Sequence, residues 1–266
     1  MSYTITESKT PNSNPDDVII IRAKGDFIAG GTTSLVELLP SGDVVKTPLM
    51  GDAREEDCRK EIAIEAQVYK RLNGHPRLVK MKHWDSEEHT LTLEYMPNGT
   101  LEEYSRAHSE IVWDQKLRWV LEATEAICLL HNACIIHCDI GPHNFLLDAN
   151  LSLKIADFSG SSLDGSCAMV FPGVRYRAPN HDWKPGQPPT IQEDLFALGS
   201  TIYYIITGGS PFQQLPDRMV EDKFRSGVFP DLNGNPCEWI IRRCWQQEVC
   251  SAVDILNMVD TLIYRS

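Results

Sequence analysis

His137, Asp139, Asn144 and Asp157 are the side chains whose types and spacing point most directly to chemistry. An aspartate stands two residues after a histidine, an asparagine five beyond it, and a second aspartate thirteen further on. A carboxylate such as Asp139 can orient a hydroxyl group and receive its proton as the oxygen attacks. A carboxamide and a second carboxylate, Asn144 and Asp157, offer the hard oxygen donors that Mg²⁺ prefers. That set matches what phosphoryl transfer to a hydroxyl requires. An aspartate in a loop is by itself more often a turn or cap residue. Here its neighbours reverse that reading: Ile135-Ile136 precede the group, Phe145-Leu146-Leu147 follow it, and Leu153-Lys154-Ile155-Ala156 lead into Asp157. The candidate groups thus sit on loops pinned by short buried strands.

The elements that must position them divide by character. Residues 1–17, rich in Ser, Thr, Asn, Pro and Asp, read as a disordered tail. Residues 18–21, 34–39 and 43–46 read as strands, the last two joined by the turn-forming cluster Pro40-Ser41-Gly42-Asp43. A helix is expected over 55–72, where Ile62, Ala66, Tyr69 and Leu72 share a face before Asn73-Gly74-His75-Pro76 stops the run. Strands at 78–83 and 90–94 complete a small sheet. After Pro97-Asn98-Gly99 the chain turns helical, with Thr100 a plausible N-cap for a short helix from Leu101. Trp113, Leu117, Val120, Thr124, Ile127 and Leu130 then fall on one face of a long helix leading to His137. Further helices are expected over 194–206 and, as two or three short ones, over 238–263. The fold class is α+β: a sheet-rich N-terminal lobe (18–96) with one helix and a larger helical C-terminal lobe (97–266), a cleft between them being the natural ligand site.

Composition narrows the function. The 266 residues are 42% apolar and 23% charged, with a formal net charge of −12. That acidity argues against broad nucleic-acid binding, which needs a basic footprint. No run reaches the length of a membrane span, and the N-terminus has no basic start or apolar core, so no membrane association is expected and a cytoplasmic, intracellular protein with possible nuclear access is. Eight cysteines without a Cys-x-x-Cys pair read as free thiols rather than disulfides or a zinc site.

The His137-Cys138-Asp139-Ile140-Gly141-Pro142-His143-Asn144 run with Asp157-Phe158-Ser159 resembles the catalytic and metal-binding loops of protein kinases. The resemblance covers about residues 18–263, and the run resembles in particular short kinase-like proteins of fungi. It implies a bilobal protein kinase fold, ATP and Mg²⁺ as cofactors, a protein substrate and a monomeric chain. Val44-Val45-Lys46 resembles the strand whose lysine holds phosphate oxygens, and Glu65, nineteen residues on, falls where its ion-pair partner is expected; Glu61, one turn earlier, is the runner-up and reads as a solvated charge. Asp139 is then the catalytic base, with Lys46 and Asn144 beside it in the reaction, and Asn144 and Asp157 are the metal ligands. Ala29, Gly31 and Ser34 occupy the three places of a glycine-rich loop and Val36 follows it. Glu94-Tyr95-Met96 resembles the hinge that hydrogen-bonds adenine through its backbone, with Leu93 behind the base. His137 and Phe158 read as structural. Ala178-Pro179-Asn180, the helix from Asp194 to Gly199 and Cys244-Trp245 match later landmarks, Asp194 bracing the catalytic loop.

The departures also carry information. Only the middle glycine of the phosphate loop survives, the adjoining Gly30 offering some of the freedom that Ala29 and Ser34 lack. Cys138 stands where an arginine would dock a phosphorylated loop, which argues against activation by that route. Gly141 stands where Ser/Thr kinases carry lysine, and His143, just before Asn144, could supply a cation instead. Ser159 replaces a glycine. Asn180 and Val249 replace both members of an ion pair, a change more tolerable than losing one. Three readings follow: an active protein kinase; a pseudokinase serving as a nucleotide-binding or scaffold module; and a small-molecule phosphotransferase of the aminoglycoside type, which the Ala178-Pro179-Asn180 run and the helix at Asp194 disfavour.

Overall fold

Pro40-Ser41-Gly42-Asp43 turns the chain as its residue types require. Gly42 takes φ 86°, its N–H donates to Leu39 O at 2.9 Å, and Leu39 N–H donates to Asp43 O at 2.8 Å. The computed structural model describes residues 2–4, 20–51, 53–72, 74–179 and 187–264. They fall in two compact units, Met1–Gln67 with Lys80–Tyr95, and Val68–Val79 with Met96–Ser266.

In the first unit β1 (Ser2–Thr4) pairs antiparallel with β2 (Ile20–Arg22). The remainder of the proposed tail, 5–17, lies outside the described residues. Five strands, β3 (Asp26–Gly30), β4 (Ser34–Leu38), β5 (Val44–Pro48), β6 (Met81–Asp85) and β7 (Thr90–Leu93), form one antiparallel sheet in the order β3-β4-β5-β7-β6. β3 is an element that hydrophobic alternation does not reveal, because every residue in it is exposed. β6 begins three residues later than expected. Helix α1 (Glu55–Leu72) has the expected bounds, its residues up to Gln67 belonging to this unit and those from Val68 onward to the second. Glu55, Glu56 and Asp57 in its first turn and Lys70 and Arg71 in its last complement the helix dipole, and Ile62, Ala66, Tyr69 and Leu72 are all buried.

The second unit is mainly helical. Thr100 caps α2 (Leu101–Ala107) through a capping box: Glu103 N–H donates to Thr100 Oγ1, and Thr100 N–H donates to Glu103 Oε2, both at 3.0 Å. Helix α3 (Trp113–Asn132) buries Leu117, Val120, Thr124, Ile127 and Leu130, and also Trp119, whose Nε1–H reaches Leu151 O at 2.8 Å. After α3 come two nested hairpins. The outer one pairs β8 (Ile135–Ile136) with β11 (Ser162–Leu163), and the inner one pairs β9 (Phe145–Leu147) with β10 (Leu153–Ile155). Helix α4 (Ile191–Thr207) starts three residues before the expected 194, at a second capping box of Thr190 and Glu193, and ends at Gly208 with φ 80°. Gly199 lets α6 (Glu238–Trp245) approach α4 closely: a Cβ there would lie 2.4 Å from Cys244 Cβ. Trp245 Nε1–H is satisfied by Ser200 Oγ at 2.9 Å. A short amphipathic helix not among the expected elements, α5 (Asp217–Arg225), buries Val220 and Phe224, and α7 (Ala252–Ile263) follows α6. No helix among the described residues is long and apolar enough to cross a membrane. All eight cysteines are free thiols, with Cys58, Cys128, Cys138, Cys237 and Cys244 buried.

Candidate active site

The first unit contributes a buried cation on a strand. Lys46 lies in β5 directly across from Val36 of β4, which in turn lies across from Ala29 of β3. Residues opposite one another in an antiparallel sheet share a face, so these three form one row. Lys46 Nζ is 2.6 Å from Glu65 Oε2 of α1, with side-chain exposures of 8% and 1%. Strand and helix thus bring together the two residues that sequence separates by nineteen positions. Glu61 does otherwise: it is buried rather than solvated, and Arg54 Nη2 holds it at 3.0 Å. Burial pushes its carboxyl above the usual range despite Arg54. A charge one turn from Glu65 shares its inward-facing side of the helix, which explains the burial.

The phosphate-loop positions form a β-hairpin, with Ala29 in β3, Ser34 in β4 and Gly31 N–H donating to Ser34 O at 2.9 Å. Gly30 and Gly31 do not use positive φ, so the additional freedom expected of Gly30 is not drawn upon. Farther along, Leu93 is buried in β7. Glu94 is tied down twice, its N–H donating to Lys80 O at 2.9 Å and its Oε1 accepting from Lys80 N–H at 2.7 Å. In the second unit Met96 is buried and its carbonyl accepts from Gly99 N–H at 3.1 Å.

The second unit holds the catalytic-loop candidates, and Asp194 is the anchor. Its carboxylate is buried on α4 and accepts three bonds: His137 N–H at 2.8 Å, Cys138 N–H at 3.0 Å and His131 Nε2 at 3.0 Å. Cys138 sits at φ 70°, a left-handed backbone that those bonds hold in place. Asp194→Ala would leave two buried backbone N–H donors, and the His131 ring, without their acceptor. We expect a stability loss of roughly 2–6 kcal/mol, measured by chemical denaturation; a loss below about 1 kcal/mol would contradict the anchoring role.

His137 accepts at Nδ1 from Asp139 N–H at 3.3 Å, which leaves Nε2 as the donor to Ala156 O at 3.1 Å. Its ring lies 5.3 Å from Phe158, which meets Tyr69 edge-on at 5.2 Å. These are structural contacts, as the sequence suggested. Cys138 is neutral and buried, its thiol pushed well up by burial and then by Asp194, so it offers no cation to a phosphorylated loop. Of the activation-segment hydroxyls, Ser161, Ser162 and Tyr176 are buried and Ser166 is exposed. Arg71 reaches this segment with a bidentate grip on Asp164, at 2.8 and 2.7 Å, a contact no motif announces. Asn180 lies outside the described residues; Val249, at the other position of the replaced ion pair, is buried.

Asp139 faces the loop interior with its side chain 25% exposed. Asn144 Nδ2 donates to Asp139 O at 2.8 Å and to Asp139 Oδ2 at 3.1 Å, and His143 Nε2 lies 3.2 Å from the same Oδ2. Burial opposes protonation of His143, but the hydrogen bond and charge of Asp139, with Glu102 and Asp157, outweigh it and raise its pKa. The inner hairpin sets Phe145 opposite Ile155, and Ala156 N–H donates to Asn144 O at 3.0 Å, so Asn144 lies across from the residue that precedes Asp157. Asp157 is exposed, at φ 60°, and Ser159 Oγ donates to its Oδ1 at 2.9 Å. Ser159 is thus more than a replaced glycine, and a serine two residues past a carboxylate is the sequence signal for this hydrogen bond.

These donors fit a hard divalent ion. Asn144 spends its amide hydrogens on Asp139, which leaves Oδ1 as an acceptor, and Asp157 adds a carboxylate. Among the described residues no group of three His, Cys, Asp or Glu side chains could hold a metal. Two protein oxygens with water and phosphate completing the shell is the arrangement Mg²⁺ favours.

Residues 44–242 match the protein kinase domain. The chain belongs to this family. The domain is similar to the G-type lectin S-receptor-like serine/threonine-protein kinase SD2-2 of Arabidopsis thaliana, 35% identical over 166 residues, or 58% of this chain and 20% of that one. It is also similar to the serine/threonine-protein kinase SIK3 homolog of Danio rerio, 30% identical over 199 residues, covering 71% and 16%. A second G-type lectin S-receptor-like serine/threonine-protein kinase of A. thaliana is 32% identical over 253 residues, covering 82% and 30%. This kinase domain therefore spans between 16% and 30% of the length of these relatives. They come from a plant and a fish and lend nothing to the narrower fungal likeness.

Proposed function

We propose that the chain is an ATP- and Mg²⁺-dependent protein kinase, one catalytic domain over residues 18–266 (lobes 18–96 and 97–266), acting on serine or threonine hydroxyls of a protein. The observation that carries this reading is the Asp139 carboxylate held by Asn144, at one end of the inner hairpin whose other strand leads into an exposed Asp157, in a domain whose other unit keeps Lys46 against Glu65 at 2.6 Å. ATP with Mg²⁺ would supply the phosphoryl group, held by Asn144 and Asp157 through the metal and by Lys46 through phosphate oxygens. Asp139 orients the acceptor hydroxyl and receives its proton. Glu65 would hold Lys46 in place for that contact, Ala29, Gly31, Ser34 and Val36 would line the phosphates and base, and the backbone of Glu94 and Met96 would take the adenine. The serine/threonine preference is drawn from the names of the relatives.

Incubation with Mg²⁺, labelled ATP and a generic protein substrate should yield phosphoserine or phosphothreonine. Saturating ATP, at about one hundred times its Kd, should also raise stability by roughly 2.7 kcal/mol, and only with Mg²⁺ present. Stabilisation without transfer would leave the scaffold reading standing, and transfer confined to small hydroxylated molecules would favour the small-molecule phosphotransferase. Absence of both stabilisation and transfer would overturn the nucleotide site altogether.

A further inference from the structure

Gly141 has an ordinary backbone, since its φ is not positive, and glycine is therefore not required there by conformation. A neighbouring side chain takes up the space instead. A Cβ at 141 would lie 2.6 Å from Cε1 and 2.7 Å from Nδ1 of the His143 imidazole. The ring occupies the space that any other residue at 141 would claim, and from there its Nε2 reaches Asp139 Oδ2 at 3.2 Å. Asn144 Nδ2 reaches that same oxygen at 3.1 Å. Two donors on one oxygen fix the plane of the carboxylate and leave Oδ1 as the oxygen for an incoming hydroxyl.

We propose that Gly141 seats the His143 imidazole against Asp139, and that His143 is thereby a positioning residue for the catalytic base. The proposal rests on the kinase reading above for its consequence, though not for its geometry. The contact needs only an N–H at Nε2, which the imidazole provides in either charge state, and the backbone helps to hold the loop: Asn144 N–H donates to Gly141 O at 3.0 Å and Glu102 N–H to Pro142 O at 3.1 Å. Under this reading the glycine is not a lost lysine. Restoring a long side chain at 141 would displace the ring and disorder the carboxylate, whatever charge it brought.

Two measurements test it. In protein labelled with ¹⁵N at histidine and asparagine, the His143 ring should carry its hydrogen on Nε2, and Gly141→Ala should shift both that ring and the Asn144 side-chain amide while leaving His131 in place. Unchanged His143 signals in Gly141→Ala overturn the seating. In kinetics, His143→Leu should lower kcat roughly tenfold, the scale of one hydrogen bond to a charged group, with KM for ATP unchanged. His143→Gln, which retains a donor, should recover most of it. Gly141→Lys should lower kcat to a similar degree and add nothing in the His143→Leu background; a higher kcat in Gly141→Lys, or losses that multiply, overturn the coupling. A wild-type chain that transfers no phosphate sinks the kinase reading, and the NMR arm then still upholds or overturns the seating.

Discussion

Asp139→Asn is expected to lower phosphoryl transfer by roughly 10²–10⁴-fold, the usual contribution of a positioned general base, while leaving nucleotide affinity within about twofold. The substitution is nearly isosteric. Its carboxamide oxygen can still accept from Asn144 Nδ2 and His143 Nε2, the two donors that hold Asp139 now, so the loop keeps its shape and loses only its basicity. A labelled-ATP assay on both proteins, alongside nucleotide titration, separates the effects. A variant that keeps more than about half the rate would remove Asp139 from the mechanism, and one that loses ATP binding as well would mean the loop had collapsed.

Lys46→Met should be the most damaging change in the first unit. The ammonium lies 2.6 Å from a carboxylate that is 1% exposed, and removing one partner of such a buried pair costs about 3–5 kcal/mol. Replacing both partners with apolar residues of similar volume is often tolerated. Lys46→Met with Glu65→Leu should therefore regain most of the lost stability while regaining none of the activity. Denaturation curves and transfer rates on the single and double variants read the two consequences independently. Full recovery of activity in the double variant would show that the pair serves the fold alone.

Much of the frame was legible because local signals agreed with one another. Acidic and basic turns at opposite ends of α1 and a stop at Gly74-His75-Pro76 mark its bounds, and Thr100 and Glu103 advertise a capping box. Elements without such a signature stayed hidden. β3 is exposed on both faces and so shows no alternation, β11 has only two residues, and α5 is short and mostly polar. At the site, spacing identified which residues could serve, whereas side-chain contacts across loops needed coordinates. Glu61 shows the limit: its charge suggested solvent, and only the packing of α1 shows it buried, with the exposed Arg54 reaching in to pair with it. Gly141 shows it again, since a missing side chain reads as an absence until the ring filling the space is seen.

The nested hairpins have a consequence for how the chain acquires its chemistry. Ile136 pairs with Ser162 and Phe145 with Ile155, so Asp139, Asn144 and Asp157 are all enclosed by pairings between near neighbours in sequence. Short loops close at little entropic cost and early in folding. Asp194, which fixes the backbone of His137 and Cys138, comes from 57 and 56 residues downstream. The reactive loop is thus expected to take its outline during the first contacts of the C-terminal region and to lock only when α4 docks. In a kinetic refolding experiment, substitutions at Asp194 should accelerate unfolding far more than they slow folding.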